Sequence, residues 1–104
     1  MANPYTGEVA LRLDGERKTL KLTLGALAEL EDRLGADSLS EMVARFEGDR
    51  LRARDVMLLI CAGLRGGGWH GDAGDLLKAE IEGGPMEAAR VAARLLALAF
   101  RAPQ

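Results

Sequence analysis

The sequence predicts an α+β domain: an N-terminal two-stranded antiparallel β-hairpin followed by a bundle of four to five α-helices. Three observations carry this reading. Residues 8 to 24 alternate apolar and polar around an Asp-Gly pair. From residue 24 onward the apolar period changes from two to between three and four. Glycine or proline then interrupts the helical pattern at regular intervals, at Gly35, Gly48, Gly66 to Gly68 and Gly83-Gly84-Pro85.

The hairpin comes first. "EVALRL" sets Val9, Leu11 and Leu13 on one face, and "TLKLTL" sets Leu20, Leu22 and Leu24 on one face. Asp14-Gly15 between them is a strong turn signal. A two-residue turn there would oppose Leu11 to Lys18. A four-residue loop over 14 to 17 would oppose Leu11 to Leu20 and Val9 to Leu22, and cross-strand apolar pairs favour this longer loop.

Five helical segments follow, at about 24–34, 38–47, 53–65, 73–82 and 85–101. In the first, Leu24, Leu27, Leu30 and Leu34 share a face, Thr23 is the expected N-cap and Gly35 the stop. In the second, Ser38 and Glu41 have capping-box spacing, and Leu39, Met42, Val43 and Phe46 form the inward stripe. The third carries the apolar run Val56 to Ala62, expected to be covered on most sides. The fourth brings Leu76, Leu77 and Ile81, with Asp72 as cap, and Pro85 suits the first turn of the fifth.

That last helix has an unusual surface. Glu87, Arg90, Arg94 and Arg101 fall within about 60° of arc at 100° per residue, and the rest of the circumference is apolar. A surface helix normally buries one stripe. The excess points either to a central position in the fold or to a face for another polypeptide, through Leu95, Leu96 and Phe100.

Bulk composition bounds the function. The 104 residues fit one domain, and 48% apolar content supports a core, filled mainly by Leu and Ala because aromatics supply only 4%. Fourteen basic and sixteen acidic residues are mixed along the chain, with no basic stripe of the kind nucleic acid selects. The densest basic stretch, Arg45 to Arg54, is interrupted by Glu47 and Asp49 and reads as a solvated loop and helix edge. No apolar run of about 18 residues suggests a membrane span, and the first residues lack signal-peptide features. A single cysteine fits a reducing cytoplasm.

"CAGLRGGGWHGD", residues 61 to 72, is the one stretch that suggests chemistry. Its glycines lack the Lys and Ser/Thr of a phosphate loop and follow a helix rather than a strand. One Cys and one His are too few for a metal site, and no third group orients a Cys61–His70 pair. The glycines read as a helix end and a mobile connection, with Arg65 suiting the negative helix terminus. Trp69 is expected to pack over the core, or else to serve as a hot spot for a protein partner. The carboxylates Glu29, Glu31 and Asp32 read as a solvated helix face. No cofactor, metal or catalytic group is expected.

Four segments in order, "NPYTGEVALRLDG", "LKLTLGALAELEDRLGADSL", "RFEGDRLRARDVMLLICAGLRGGG" and "ARVAARLLALAF", resemble the small proteins encoded in alphaproteobacterial gene transfer agents and related tailed phages. The resemblance implies a tail-tube-associated protein or tail assembly chaperone, encoded between the major tail protein and the tape measure. It implies no catalytic residue. Its partners would be the tape-measure and major tail proteins, with self-association a further expectation, and it would act in the bacterial cytoplasm on assembling tails. The rival expectation is a structural subunit retained in the particle, its hairpins pairing edge to edge in a ring.

Overall fold

The computed structural model describes residues 2–100. After a 3-10 turn at Pro4–Thr6, the order is β1 (Glu8–Leu13), β2 (Glu16–Lys21), α1 (Leu24–Leu34), α2 (Leu39–Glu47), α3 (Ala53–Gly66), α4 (Ala73–Lys78) and α5 (Gly84–Phe100). The predicted α+β class holds: one antiparallel hairpin precedes five helices. Arg101, assigned above to the charged stripe of the last helix, lies outside the described residues.

The hairpin register differs from the expectation. The chain turns on two residues, Asp14 and Gly15, both at positive φ (51° and 80°), as a type I′ turn requires. Val9 therefore opposes Leu20, Leu11 opposes Lys18 and Leu13 opposes Glu16. Turn geometry, not cross-strand Leu–Leu pairing, sets the register. Leu11 and Leu13 are still buried, because α5 packs on β1 and Ile81 bridges to Leu13. Near the turn, Lys18 and Glu16 pair with each other at 3.7 Å.

Two boundaries also move. β2 ends at Lys21, and Leu24 becomes the first residue of α1, where it is 85% exposed and leaves the buried stripe to Leu30, Leu34 and Ala26. The Thr23 side chain caps that helix by accepting from the Ala26 amide at 3.0 Å. α4 stops at Lys78 rather than near residue 82, because residues 80 to 82 are drawn out alongside β1. There the Asp14 amide donates to the Glu80 carbonyl at 2.8 Å, and the Glu82 amide donates to the Arg12 carbonyl at 3.1 Å. The Asp14 carboxylate accepts from the Glu80 amide at 2.8 Å. Asp72 does cap α4, in a reciprocal box with Asp75.

α3 is the central element, packed against α1, α5 and β2. Leu59, Ile60, Cys61, Ala62 and Leu64 are buried along it, close to the expected run. Against it lie Leu20 and Leu22 from the hairpin, Leu30 and Leu34 from α1, and Val91, Ala92, Leu95 and Leu96 from α5. Breaking such a leucine core costs about 2–5 kcal/mol per Leu→Ala change.

The glycines of α3 make this packing possible. Gly63, Gly66 and Gly67 fall at i, i+3 and i+4, one face of the helix end. A Cβ on Gly66 would collide with the Lys21 carbonyl oxygen, and one on Gly67 with that of Thr19. A Cβ on Gly63 would come within 2.8 Å of Leu95 Cδ1 and 3.2 Å of Leu20 Cβ. "RGGG" is thus a close helix-to-strand contact rather than a mobile connection.

Candidate interaction surface

The residues first considered for chemistry are not assembled for it. Cys61 is buried in α3, and burial pushes its thiol up. His70 is exposed in the following loop. The space beside Cys61, lined by Glu29, Leu30, Arg33, Met57 and Ala73 among others, measures about 20 Å³, room for a single water. Among the described residues no group of three or more His, Cys, Asp or Glu side chains could hold a metal ion.

The loop itself is tied down. Arg65 pairs with Glu29 at 2.6 Å and donates to the Gly71 carbonyl at 2.7 Å, so Glu29 is not simply solvated. The Trp69 amide donates to the Leu64 carbonyl at 2.9 Å. Its ring lies over Gly71, where a Cβ would collide with it, and it packs half-buried on the core.

The basic stretch is also not a solvated edge throughout. Asp55, at the third position of α3, is fully buried. It accepts two hydrogen bonds from the Arg45 guanidinium, each 2.8 Å, one from the Arg52 amide at 2.9 Å, and two from the Arg52 guanidinium at 3.2 and 3.1 Å. Asp37, in the α1–α2 turn, accepts from Arg45 at 2.8 Å and Arg52 at 2.9 Å. Burial works to raise the Asp55 carboxyl, but the bonds from Arg45 and Arg52 outweigh it and hold it well below the usual carboxylate range. Arg45, with Glu41 beside it, holds Asp37 well below that range too. Asp37 in turn pushes Glu41 up. The Ser38 hydroxyl accepts from the Glu41 amide at 3.0 Å as a cap.

Of the four proposed interface residues, two are core. Leu95 is 1% exposed and Leu96 is fully buried, so α5 is surrounded by its own chain on that side and these side chains are not available to a partner. Phe100 is about half exposed, and Trp69 is half-buried. The charged stripe of α5 survives as a Glu87–Arg90 fork with 2.8 and 2.7 Å bonds.

A different apolar surface emerges where α3, α4 and α5 meet. An open groove of about 440 Å³ is lined by Leu51, Val56, Met57 and Ile60 on one wall and by Leu76, Leu77, Ile81, Pro85, Ala88 and Ala89 on the other. Leu77 is 70% exposed and Met86, beside Pro85 in the chain, is 84% exposed. Sequence periodicity placed Leu77 and Ile81 on one buried helix. Within α4, Leu76 is buried and Leu77 faces the groove, while Ile81, beyond the end of α4, lines the groove and also bridges to Leu13.

The sheet offers less to a partner. α3 covers the outer edge of β2 through Gly66 and Gly67. Residues 80 to 82 cover one end of the β1 edge, and at the other the Glu8 amide is held by the Asn3 carbonyl at 3.0 Å. Short sections near Ala10 on β1 and Arg17 on β2 are left.

Fold and surface together define a small α+β domain that offers an apolar groove among its described residues. The chain belongs to the family of the phage tail tube protein GTA-gp10, whose profile matches residues 6–102. No curated protein and no solved structure matches it. Membership sets the chain among phage-tail and gene-transfer-agent proteins, a structural and not an enzymatic class. No helix among the described residues is long and apolar enough to cross a membrane.

Proposed function

We propose that the chain is a tail-morphogenesis protein that binds a helical segment of the tape-measure protein while the tail is being built. The supporting observation is the α3–α4–α5 groove. Its walls are aliphatic and open along one side, the form that receives the apolar face of an amphipathic helix. A long helical tail component needs such faces shielded until the tube encloses it. The partial coverage of both sheet edges disfavours a ring built by hairpin-to-hairpin pairing, since only short stretches of backbone are left to template it.

The rival role is a structural subunit kept in the particle, which the family's tail-tube description favours; there the same groove would seat a neighbouring subunit or the major tail protein. Co-expression with the tape-measure protein of the same gene cluster, followed by pull-down and analysis of purified particles, separates the two. Capture of soluble tape measure, with the chain absent from particles, is the expected result. A stoichiometric band in purified particles without tape-measure capture would overturn the proposal in favour of the structural role.

A further inference from the structure

We infer that α2 is a hinged cover held shut by the Asp37–Arg45–Arg52–Asp55 cluster, which opens as a unit and uncovers the flanks of α1 and α5 beneath it. Four observations converge on this helix. Met42 is its one fully buried side chain, while Leu39, Val43 and Phe46 are only partly buried against the core. It packs on α1 and α5, so its strongest tie to α3 is ionic rather than apolar. The turns on both sides carry positive φ: Gly35 at 63° before it and Asp49 at 57° after it. Asp49 is a residue type that tolerates the left-handed region, so both ends of α2 have pivots of local geometry.

The cluster closes across those pivots. Arg45 stands in the last turn of α2, Asp37 just before its start, and Asp55 and Arg52 at the beginning of α3. The Arg45 guanidinium therefore fastens the last turn of α2 to α3 through Asp55 and to the entrance of α2 through Asp37, by bonds of 2.8 Å, and Arg52 ties Asp37 to the start of α3 at 2.9 Å. Such a partly buried ionic cluster is a specific fastening more than a source of net stability, because desolvation offsets its attraction. Segments with few buried apolar contacts open below the global unfolding limit. α2 meets that condition, and a polar lock replaces the apolar anchoring it lacks. The device does not depend on the groove or on the proposed partner, since α2 stands outside the groove walls.

Native-state hydrogen exchange of the full-length chain, with peptides resolving residues 39–47 from α3 and α5, tests this. In the wild type the slowest α2 amides are expected to exchange at least about tenfold faster than the slowest amides of α3 and α5. In Arg45→Met, all three should speed up by a similar factor while the gap between them persists, because the lost bonds belong only to the closed form. Joint exchange of α2 with α3 and α5 in the wild type would overturn the proposal, and that reading stands even if Arg45→Met fails to fold. A variant in which the gap shrinks would also overturn it, since α2 would then be fastened by something other than this cluster.

Discussion

Replacing Gly66 or Gly67 by alanine should destabilise the protein, against the direction that helix propensity alone gives. Alanine in place of glycine in a helix is worth up to about 1 kcal/mol in favour of folding. Neither residue has a positive φ, so no left-handed conformation is lost in the exchange. The opposing contribution is contact. The new Cβ would strike the Lys21 carbonyl oxygen at position 66 and the Thr19 carbonyl oxygen at position 67. These are backbone atoms of a paired strand and cannot rotate aside as a side chain can. Overpacking costs about 1–3 kcal/mol even where neighbours are side chains, so a net loss of about 2 kcal/mol or more is expected. At roughly 4–8 °C per kcal/mol for a domain near this size, Tm should fall by roughly 8–16 °C.

Gly25→Ala is the control. Its Cβ would meet only the Thr23 hydroxyl oxygen at 3.9 Å, an ordinary contact, so this variant should match or slightly exceed the wild type. Gly63→Ala, facing the flexible end of Leu95, should fall between. Thermal and urea unfolding followed by circular dichroism measure the order. A Tm for Gly66→Ala and Gly67→Ala equal to that of Gly25→Ala would refute the argument that α3 ends in contact with β2.

Other outcomes follow from the core, cluster and groove. Leu96→Ala should cost about 2–5 kcal/mol as a core truncation, whereas Phe100→Ser should change stability by less than about 1 kcal/mol; equal effects in urea titrations would mean that α5 is not seated as described. Asp55→Ala should cost about 2 kcal/mol by removing the buried acceptor of Arg45 and Arg52, both of which keep Asp37 as a partner. Asp37 and Asp55 are both depressed in the folded chain, so their contribution is fully present above the ordinary carboxylate pKa of about 3.9 and is lost as pH falls below it. Urea midpoints measured from neutral to acid pH should therefore drop less steeply for Asp55→Asn than for the wild type. Leu77→Glu combined with Ala89→Glu should abolish capture of the tape-measure protein while leaving circular dichroism and Tm nearly unchanged; retained capture would remove the groove from the interface. Cys61 should react with a thiol reagent only as fast as the chain opens, and rapid reaction in the native state would contradict its burial.

Much of the architecture was legible because it rests on local signals. The place of the hairpin at Asp14-Gly15, the Thr23 and Asp72 caps and the leucine periodicity each rest on signals within a few residues. What escaped depends on distant neighbours. The register was misjudged because Leu11 and Leu13 find their apolar contacts in α5 and Ile81 rather than across the hairpin. α4 was drawn too long because nothing near residue 79 announces that the next three residues will line β1. The Asp37–Arg45–Asp55 cluster joins residues up to 18 apart in the chain, and no short motif marks it. Leu95 and Leu96 were offered to a partner because a surplus apolar helix in a small domain has two explanations. Here α2, α3 and β1 leave α5 little uncovered on that side. The groove went unseen since its lining comes from three helices and the segments joining them, spread over residues 51 to 89.

The bonds between Asp14 and Glu80 span 66 residues, and they bear on the order in which the chain can take shape during synthesis. A ribosome releases the first turn long before it releases the segment that lines β1, at roughly 5–20 residues per second. Until residue 82 has emerged, β1 lacks its neighbour on that edge, although β2 can already pack on α3. The N-terminal third is thus the earliest part made and among the last completed, so a product truncated before residue 80 would lack the contacts that close its own beginning.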